Sequence, residues 1–136
     1  MNISLRRGER IFINGAVIRV DRKVCVELLN DVTFLLETHV MQADDASTPI
    51  KQLYFAIQTM LMSPGDAELA LDLCRNMLVS LNTAVRDRRL VEGLAAVVCH
   101  IDNRRTFDAL KTVRSLFSIE AEIIGRETPP LERGAA

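Results

Sequence analysis

The apolar pattern of this chain changes period once, across residues 42–48, and that change separates what can be sheet from what can be helix. Before it, short β-branched runs at 3–5, 10–13, 16–20, 24–28 and 32–36 alternate with turn residues. Beyond it, apolar residues recur every three to four positions, the spacing of one helical face. Strands gathered first and helices second indicate an α+β fold rather than an alternating α/β one.

Within the strand-rich part, Asn14-Gly15 lies between two apolar runs. Both central residues of a type I′ turn need positive φ, which Asn and Gly tolerate best, so this pair predicts a tight hairpin. Asn30-Asp31 is a second two-residue turn candidate, and the spacing predicts an antiparallel meander of about five short strands. In the helical part, Thr48-Pro49 reads as a cap and first-turn pair. Ile50, Leu53, Tyr54, Ile57, Met60 and Leu61 follow as one stripe. Ser63-Pro64-Gly65-Asp66 repeats the signal ahead of Ala67, Ala70, Leu71, Cys74, Met77, Leu78 and Leu81, which predicts a helical hairpin. A third helix is expected from Asn82 or Thr83, carrying Leu90, Leu94, Val97, Val98 and Ile101, with Gly93 admitting a close neighbour. Phe107, Leu110, Val113, Leu116 and Phe117 supply the last stripe, for about four amphipathic helices in all. A chain of 136 residues suits one domain. We place it at 1–124, strand-rich over 1–40 and helical over 48–124, with 125–136 a flexible tail containing Thr128-Pro129-Pro130.

Little in the sequence points to catalysis. Cys25, Cys74 and Cys99 are odd in number and widely spaced, which fits neither a disulfide framework nor a zinc site. They read as small buried apolar residues in a reducing compartment. No apolar run approaches the roughly 18 residues of a membrane span, so the expected location is the cytoplasm. His39 and His100 have no nucleophile motif beside them, and neither a phosphate-binding loop nor a dinucleotide fingerprint occurs. Asp44-Asp45 reads as linker, and Glu120 and Glu122 read as solvated helix surface. The expectation is a non-enzyme with no metal and no cofactor. Met60 and Met62 offer a pliable edge at which a protein partner could bind.

The positive signal is arginine. Residues 1–30 hold six basic side chains against three acids, whereas 31–136 hold eleven against fifteen. Arg6, Arg7 and Arg10 flank the first turn, and Arg19, Arg22 and Lys23 flank the second. A guanidinium on a strand can fork onto phosphate oxygens or onto a guanine edge, as a lysine cannot, so these six form the candidate nucleic-acid set. Phe12 and Phe34 are expected to point inward, which leaves no base-stacking platform. Among the helical arginines Arg86, Arg88, Arg89, Arg104 and Arg105, Arg88 and Arg89 are placed to pair with Glu92 on a solvated face.

The run Arg7-Gly8-Glu9-Arg10-Ile11-Phe12-Ile13-Asn14-Gly15-Ala16-Val17, with Val20-Asp21-Arg22-Lys23 and the stretch from Glu27 to Glu37, resembles the FlbT family of flagellar proteins. So do Gln52-Leu53-Tyr54-Phe55, Phe107-Asp108-Ala109-Leu110-Lys111 and Arg114-Ser115-Leu116-Phe117. The resemblance spans nearly the whole chain except its C-terminal tail. It implies a small cytoplasmic regulator of flagellum biogenesis in alphaproteobacteria, a repressor acting after transcription. Its partner would be the 5′ untranslated leader of flagellin mRNA, whose turnover it promotes; some family members act as activators. Leu5-Arg6-Arg7-Gly8-Glu9 is also similar to the opening of CsrA-family translational regulators, five-stranded interlocking dimers in which the first strand's basic pair contacts RNA. That likeness implies RNA contacts at Arg6 and Arg7, although CsrA proteins have one more residue before the glycine and a single short helix. The competing expectation is a protein-interaction module whose helical part binds flagellin or another flagellar regulator, with a homodimer through the sheet edges as its structural variant.

Overall fold

A computed structural model describes residues 2–14, 16–30, 32 and 34–127. Five short strands come first, β1 (Asn2–Leu5), β2 (Arg10–Ile13), β3 (Ala16–Arg19), β4 (Val24–Glu27) and β5 (Phe34–Leu36). Five helices follow, α1 (Pro49–Met62), α2 (Ala67–Ala84), α3 (Arg88–Asp102), α4 (Thr106–Ser115) and α5 (Phe117–Glu127). Every strand pair is antiparallel, and the class is α+β as expected.

The order of pairing is not that of successive neighbours. β2 and β3 form the hairpin at Asn14, whose φ of 47° is the left-handed value a type I′ turn needs. Asn30, by contrast, does not join a hairpin: β4 pairs with β1, and β5 pairs with β2 to give the order β3-β2-β5. The reason lies in how many faces each strand must bury. β2 is apolar at Ile11, Phe12 and Ile13 in succession, the composition of a strand covered on both faces, and it takes the central place. β1 and β4 alternate, so they make a ribbon with Ile3, Leu5, Val24 and Val26 inward and Asn2, Ser4, Cys25 and Glu27 exposed.

The result is three layers. Ile11, Ile13, Phe34 and Leu36 pack with Ile3, Leu5, Val24 and Val26 of the ribbon. Phe12 and Leu35, on the opposite face of the same sheet, pack into the larger core made by the helices. β3 overhangs both layers: all four of its residues are exposed, with Val17 at 61% and Ile18 at 43%.

Helix ends follow their capping chemistry. The Thr48 hydroxyl accepts from the Lys51 N–H at 3.3 Å, with Pro49 in the first turn, as the sequence predicts. Glu120 completes this cap from α5, accepting from the Thr48 hydroxyl and, at 3.0 Å, from the Ile50 N–H. It is therefore buried, not the solvated residue expected, because a carboxylate at a helix N-terminus satisfies amides that have no helical partner. The third helix begins at Arg88 rather than near Asn82 or Thr83. α2 continues to Ala84, and Asp87 is the cap, accepting from the Arg89 N–H at 2.8 Å. Its end is a Schellman pair, Arg104 N–H to Ile101 C=O at 3.1 Å and Arg105 N–H to His100 C=O at 2.8 Å. Arg104 takes the left-handed position usually given to glycine, at φ 59°. The last apolar stripe breaks at Leu116 into α4 and α5. Gly93 does admit a close neighbour: a Cβ there would stand 2.5 Å from the Leu116 Cδ2. Helix α5 runs through Glu127, three residues into the segment read as tail, and 128–136 lie outside the described residues.

One further expectation is corrected. Only Cys74 is buried, where burial pushes its thiol up to about 11; Cys25 and Cys99 are exposed. Met60 and Met62 are half-buried against the main core. An apolar groove lies between α1 and α2, lined by Phe55, Thr59, Leu69, Leu73 and Met77.

Candidate nucleic-acid interface

The six basic residues singled out from the sequence converge on one end of the β-layers. Leu5 pairs with Val24, so Arg6 and Arg7 leave β1 beside Arg22 and Lys23, which enter β4. Residues 6–9 form a turn closed by Glu9 N–H to Arg6 C=O at 3.0 Å, with Gly8 at φ 81°. A positive φ at the third position is that of a type II turn, and it is why glycine stands there. Gly8 N–H then donates to Val20 C=O at 2.8 Å, and Val20 N–H to Glu9 C=O at 3.2 Å, which binds this turn to the 20–23 turn. Arg10 and Arg19 are direct cross-strand partners on the face that carries Phe12.

This end is electrostatically unbalanced. Glu9 accepts from the Arg6 N–H at 2.9 Å and lies 3.7 Å from its guanidinium; Asp21 lies 3.5 Å from Arg22. Glu37 turns in to accept from the Arg10 backbone N–H at 3.1 Å. Arg7, Arg10, Arg19 and Lys23 have no carboxylate within ion-pair distance among the described residues. Like charges directly opposite on a sheet destabilise it, so Arg10 facing Arg19 is a local cost that an approaching polyanion would remove. Arg6, Arg7, Gly8, Glu9, Glu37 and Thr38 line an open cleft of about 410 Å³ at the turn.

The helical arginines are in a different state. Arg88 pairs with Glu92 at 3.0 Å, as expected, but Arg89 turns to Asp87 at 3.1 Å and Glu122 at 3.0 Å. The Arg89 hydrogen bonds hold the Asp87 carboxyl below the usual carboxylate range. Arg105 pairs with Asp108 at 2.9 Å and Arg75 with Asp102 at 3.8 Å. Arg86 and Arg104 have no such partner among the described residues.

A residue that sequence reading passed over joins this picture. Arg114, half-buried on α4, lies against His39 and the Tyr54 hydroxyl in a small cleft of about 210 Å³ that Asp45 also lines. Tyr54 donates to the His39 C=O at 2.6 Å. Burial, and then the nearby Arg114 charge, push the His39 imidazole below its ordinary value; burial raises the Tyr54 phenol. In an amphipathic helix one arginine looks like solvent-facing charge, and only the fold reveals that this one forms no ion pair among the described residues, although Asp45 lines the same cleft.

Phe12 and Phe34 do point inward, so stacking on the sheet is absent from the described residues. Among those residues no group of three or more His, Cys, Asp or Glu could hold a metal ion, and no helix is long and apolar enough to cross a membrane.

Comparison with known proteins gives the family. The model of "Flagellar protein FlbT" matches residues 1–124. A probable flagellum biosynthesis repressor protein FlbT of Brucella anthropi is 50% identical over 131 residues, covering 96% of this chain and 86% of the relative. Proteins of the same name from Allorhizobium ampelinum, 47% identical over 93% of this chain and 85% of the relative, and from a Chelativorans species, 48% over 90% and 84%, are also similar. No solved structure matches. The chain belongs to the FlbT family, a family of regulators of flagellum biogenesis.

Proposed function

We propose that this protein is a cytoplasmic post-transcriptional repressor that binds the 5′ untranslated leader of flagellin mRNA through the basic end of its β-layers. One observation carries the reading: Arg6, Arg7, Arg10, Arg19, Arg22 and Lys23 meet at one end, and four of them lack a carboxylate partner among the described residues. Unpaired guanidinium groups gain most from phosphate, because there is no ion pair to break first. Bound protein would alter ribosome access or expose the message to cellular nucleases, so no catalytic group in this chain is needed. The relatives' printed name, a repressor of flagellum biosynthesis, agrees with the sign.

The test is binding of purified protein to a flagellin leader RNA across a salt series, beside an Arg6→Glu, Arg7→Glu variant whose fold is checked by circular dichroism. The expected result is wild-type affinity that falls steeply with salt and a variant that binds far more weakly. Equal binding by both, or binding by neither, overturns the reading.

A second reading rests on the α1–α2 groove. Leu69 and Leu73 are 74% and 50% exposed there, beside Phe55 and Met77. Such a surface suits an amphipathic helix of flagellin or another flagellar regulator. Loss of partner binding by a Leu69→Asp, Leu73→Asp variant that still binds RNA would favour it.

A further inference from the structure

The basic end does not stop at the strands. Thr38 lines both the cleft at the Arg6–Arg7 turn and the smaller cleft beneath Arg114, so the two border the same Glu37–His39 turn. Helix α4 meets β5 here. Its first turn touches the strand through Phe107 and Phe34, whose ring centroids are 5.4 Å apart, and its last turn reaches His39 and Tyr54. Phe107, Lys111 and Arg114 are spaced i, i+4 and i+7, which puts them on one face of α4 over about 10 Å of helix axis. Lys111 Nζ sits 5.4 Å over the Phe107 ring, so the ring holds the ammonium in place and is not free for a base. Neither Lys111 nor Arg114 has a carboxylate partner among the described residues, unlike Arg75, Arg88, Arg89, Arg105 and Arg126. A half-buried guanidinium without a counter-ion is costly unless something anionic completes it.

We propose that Lys111 and Arg114 are phosphate contacts, so that the RNA backbone passes from the Arg6–Arg7 turn over Thr38 and His39 onto the face of α4 that carries Phe107, Lys111 and Arg114. This rests on the RNA-binding reading and extends its footprint from the strands to a helix. Acids near the path include Glu9 and Glu37, engaged by Arg6 and by the Arg10 N–H, Asp108 of α4, held by Arg105 at 2.9 Å, and Asp45, which lines the second cleft. The proposed ligand is a single strand of backbone with its phosphates turned toward the cations.

The test uses the full chain and a labelled flagellin leader RNA, with affinity measured across a salt series. Three variants are compared: Lys111→Gln with Arg114→Gln, Arg7→Gln with Arg10→Gln, and Arg88→Gln as a paired-arginine control. Each lost single-strand phosphate contact lowers the slope of log affinity against log salt by about 0.7, so the α4 double variant should lose about 1.4, with roughly tenfold weaker binding. Arg114→Lys keeps the charge and should keep the slope, which separates a phosphate contact from a packing role. If Arg114→Gln does not fold, Lys111→Gln alone should still lower the slope by about 0.7. An unchanged slope for the α4 variants with a reduced one for Arg7→Gln, Arg10→Gln ends the path at the strands and overturns this inference while leaving the RNA reading intact. An equal loss for Arg88→Gln also overturns it, and absence of wild-type binding overturns both.

Discussion

The strand layers and the helical body differ in how they place arginine. In the helices Arg75, Arg88, Arg89, Arg105 and Arg126 each face a carboxylate, and Arg89 and Arg126 share Asp87 and Glu122 in one network. At the end of the strands two basic residues stand directly opposite each other, and two more occupy turns without an ion-pair partner among the described residues. The cores differ as well. The helical body closes around Leu53, Ile57, Leu94, Val97, Leu110 and Val113, whereas the buried residues between ribbon and sheet are Ile3, Leu5, Ile11 and Phe34. On the proposed RNA-binding reading, the helical body is mainly support, and the strand end, extended by Lys111 and Arg114 of α4, is the working surface.

Core truncation should give the largest effects and should differ between the two regions. Leu94 is wholly buried among the helices, and Leu94→Ala should cost about 4 kcal/mol, near the upper end for such a change. Leu5 is as well hidden, but its neighbours Val20, Val24, Val26 and Leu28 are only partly buried and can close toward the gap. Leu5→Ala should cost about 2–3 kcal/mol. Urea unfolding of both variants checks this; a larger loss at Leu5 would mean that the strand layers, not the helices, dominate the stability.

Next comes the cap that crosses the helical body. Glu120→Ala leaves the Thr48 hydroxyl and the buried Ile50 N–H without their acceptor, and should destabilise by about 1–3 kcal/mol. RNA affinity at the strand end should stay unchanged once the protein is folded. A loss of binding in a folded Glu120→Ala variant would break the division between support and surface.

Backbone strain gives a smaller effect of opposite sign. Arg104 holds a left-handed φ of 59°, and Arg104→Gly should stabilise by about 0.5–1 kcal/mol in thermal unfolding. Arg104 lies at the far end of α4 from Arg114, outside the proposed path, so RNA affinity should not move. A drop in affinity would mean that the strain is retained for binding and that the working surface reaches further along the helices.

Much of this comparison can be read from the residues alone, and the unread part has a common cause. The strand positions, the Asn14 turn, the Thr48 cap and the Gly93 approach all depend on local chemistry or local period. The β1–β4 and β2–β5 pairings do not. Alternation says which face of a strand is buried but not which strand covers it, so Arg6 and Arg7 could not be placed beside Lys23 from sequence. Glu120 was misread for the same reason, since it caps a helix that starts 70 residues earlier. The start of α3 is a local miss: Asn82 and Thr83 are good caps by type, but α2 runs past them and Asp87 captures the role. Arg114 leaves no sequence signal, because what distinguishes it is the absence of an ion pair among the described residues, which depends on how distant elements are placed.

The junction between the two regions should show in the pH dependence of stability, as the smallest of these effects. His39 sits where the Glu37–His39 turn meets α1 and α4, and burial and Arg114 together lower its native affinity for a proton. Tyr54 and Asp45 are the other titratable groups that face this cleft. Around the unfolded value near 6.5 the unfolded chain then binds more protons than the native one. Stability therefore rises with pH through this group, being complete above that value and lost as pH falls from it through the lower native value. Urea midpoints at pH 7.5 and 5.5 should fall less in His39→Gln than in wild type. Arg114→Gln should narrow the difference by removing the second cause, and His100→Gln is the matched control. An undiminished loss in His39→Gln would assign the acid sensitivity to other groups and detach this cleft from the coupling between strands and helices. A bound phosphate beside Arg114 would favour the protonated imidazole, so RNA should shrink the same pH difference in wild type, and that shrinkage should disappear in Arg114→Gln.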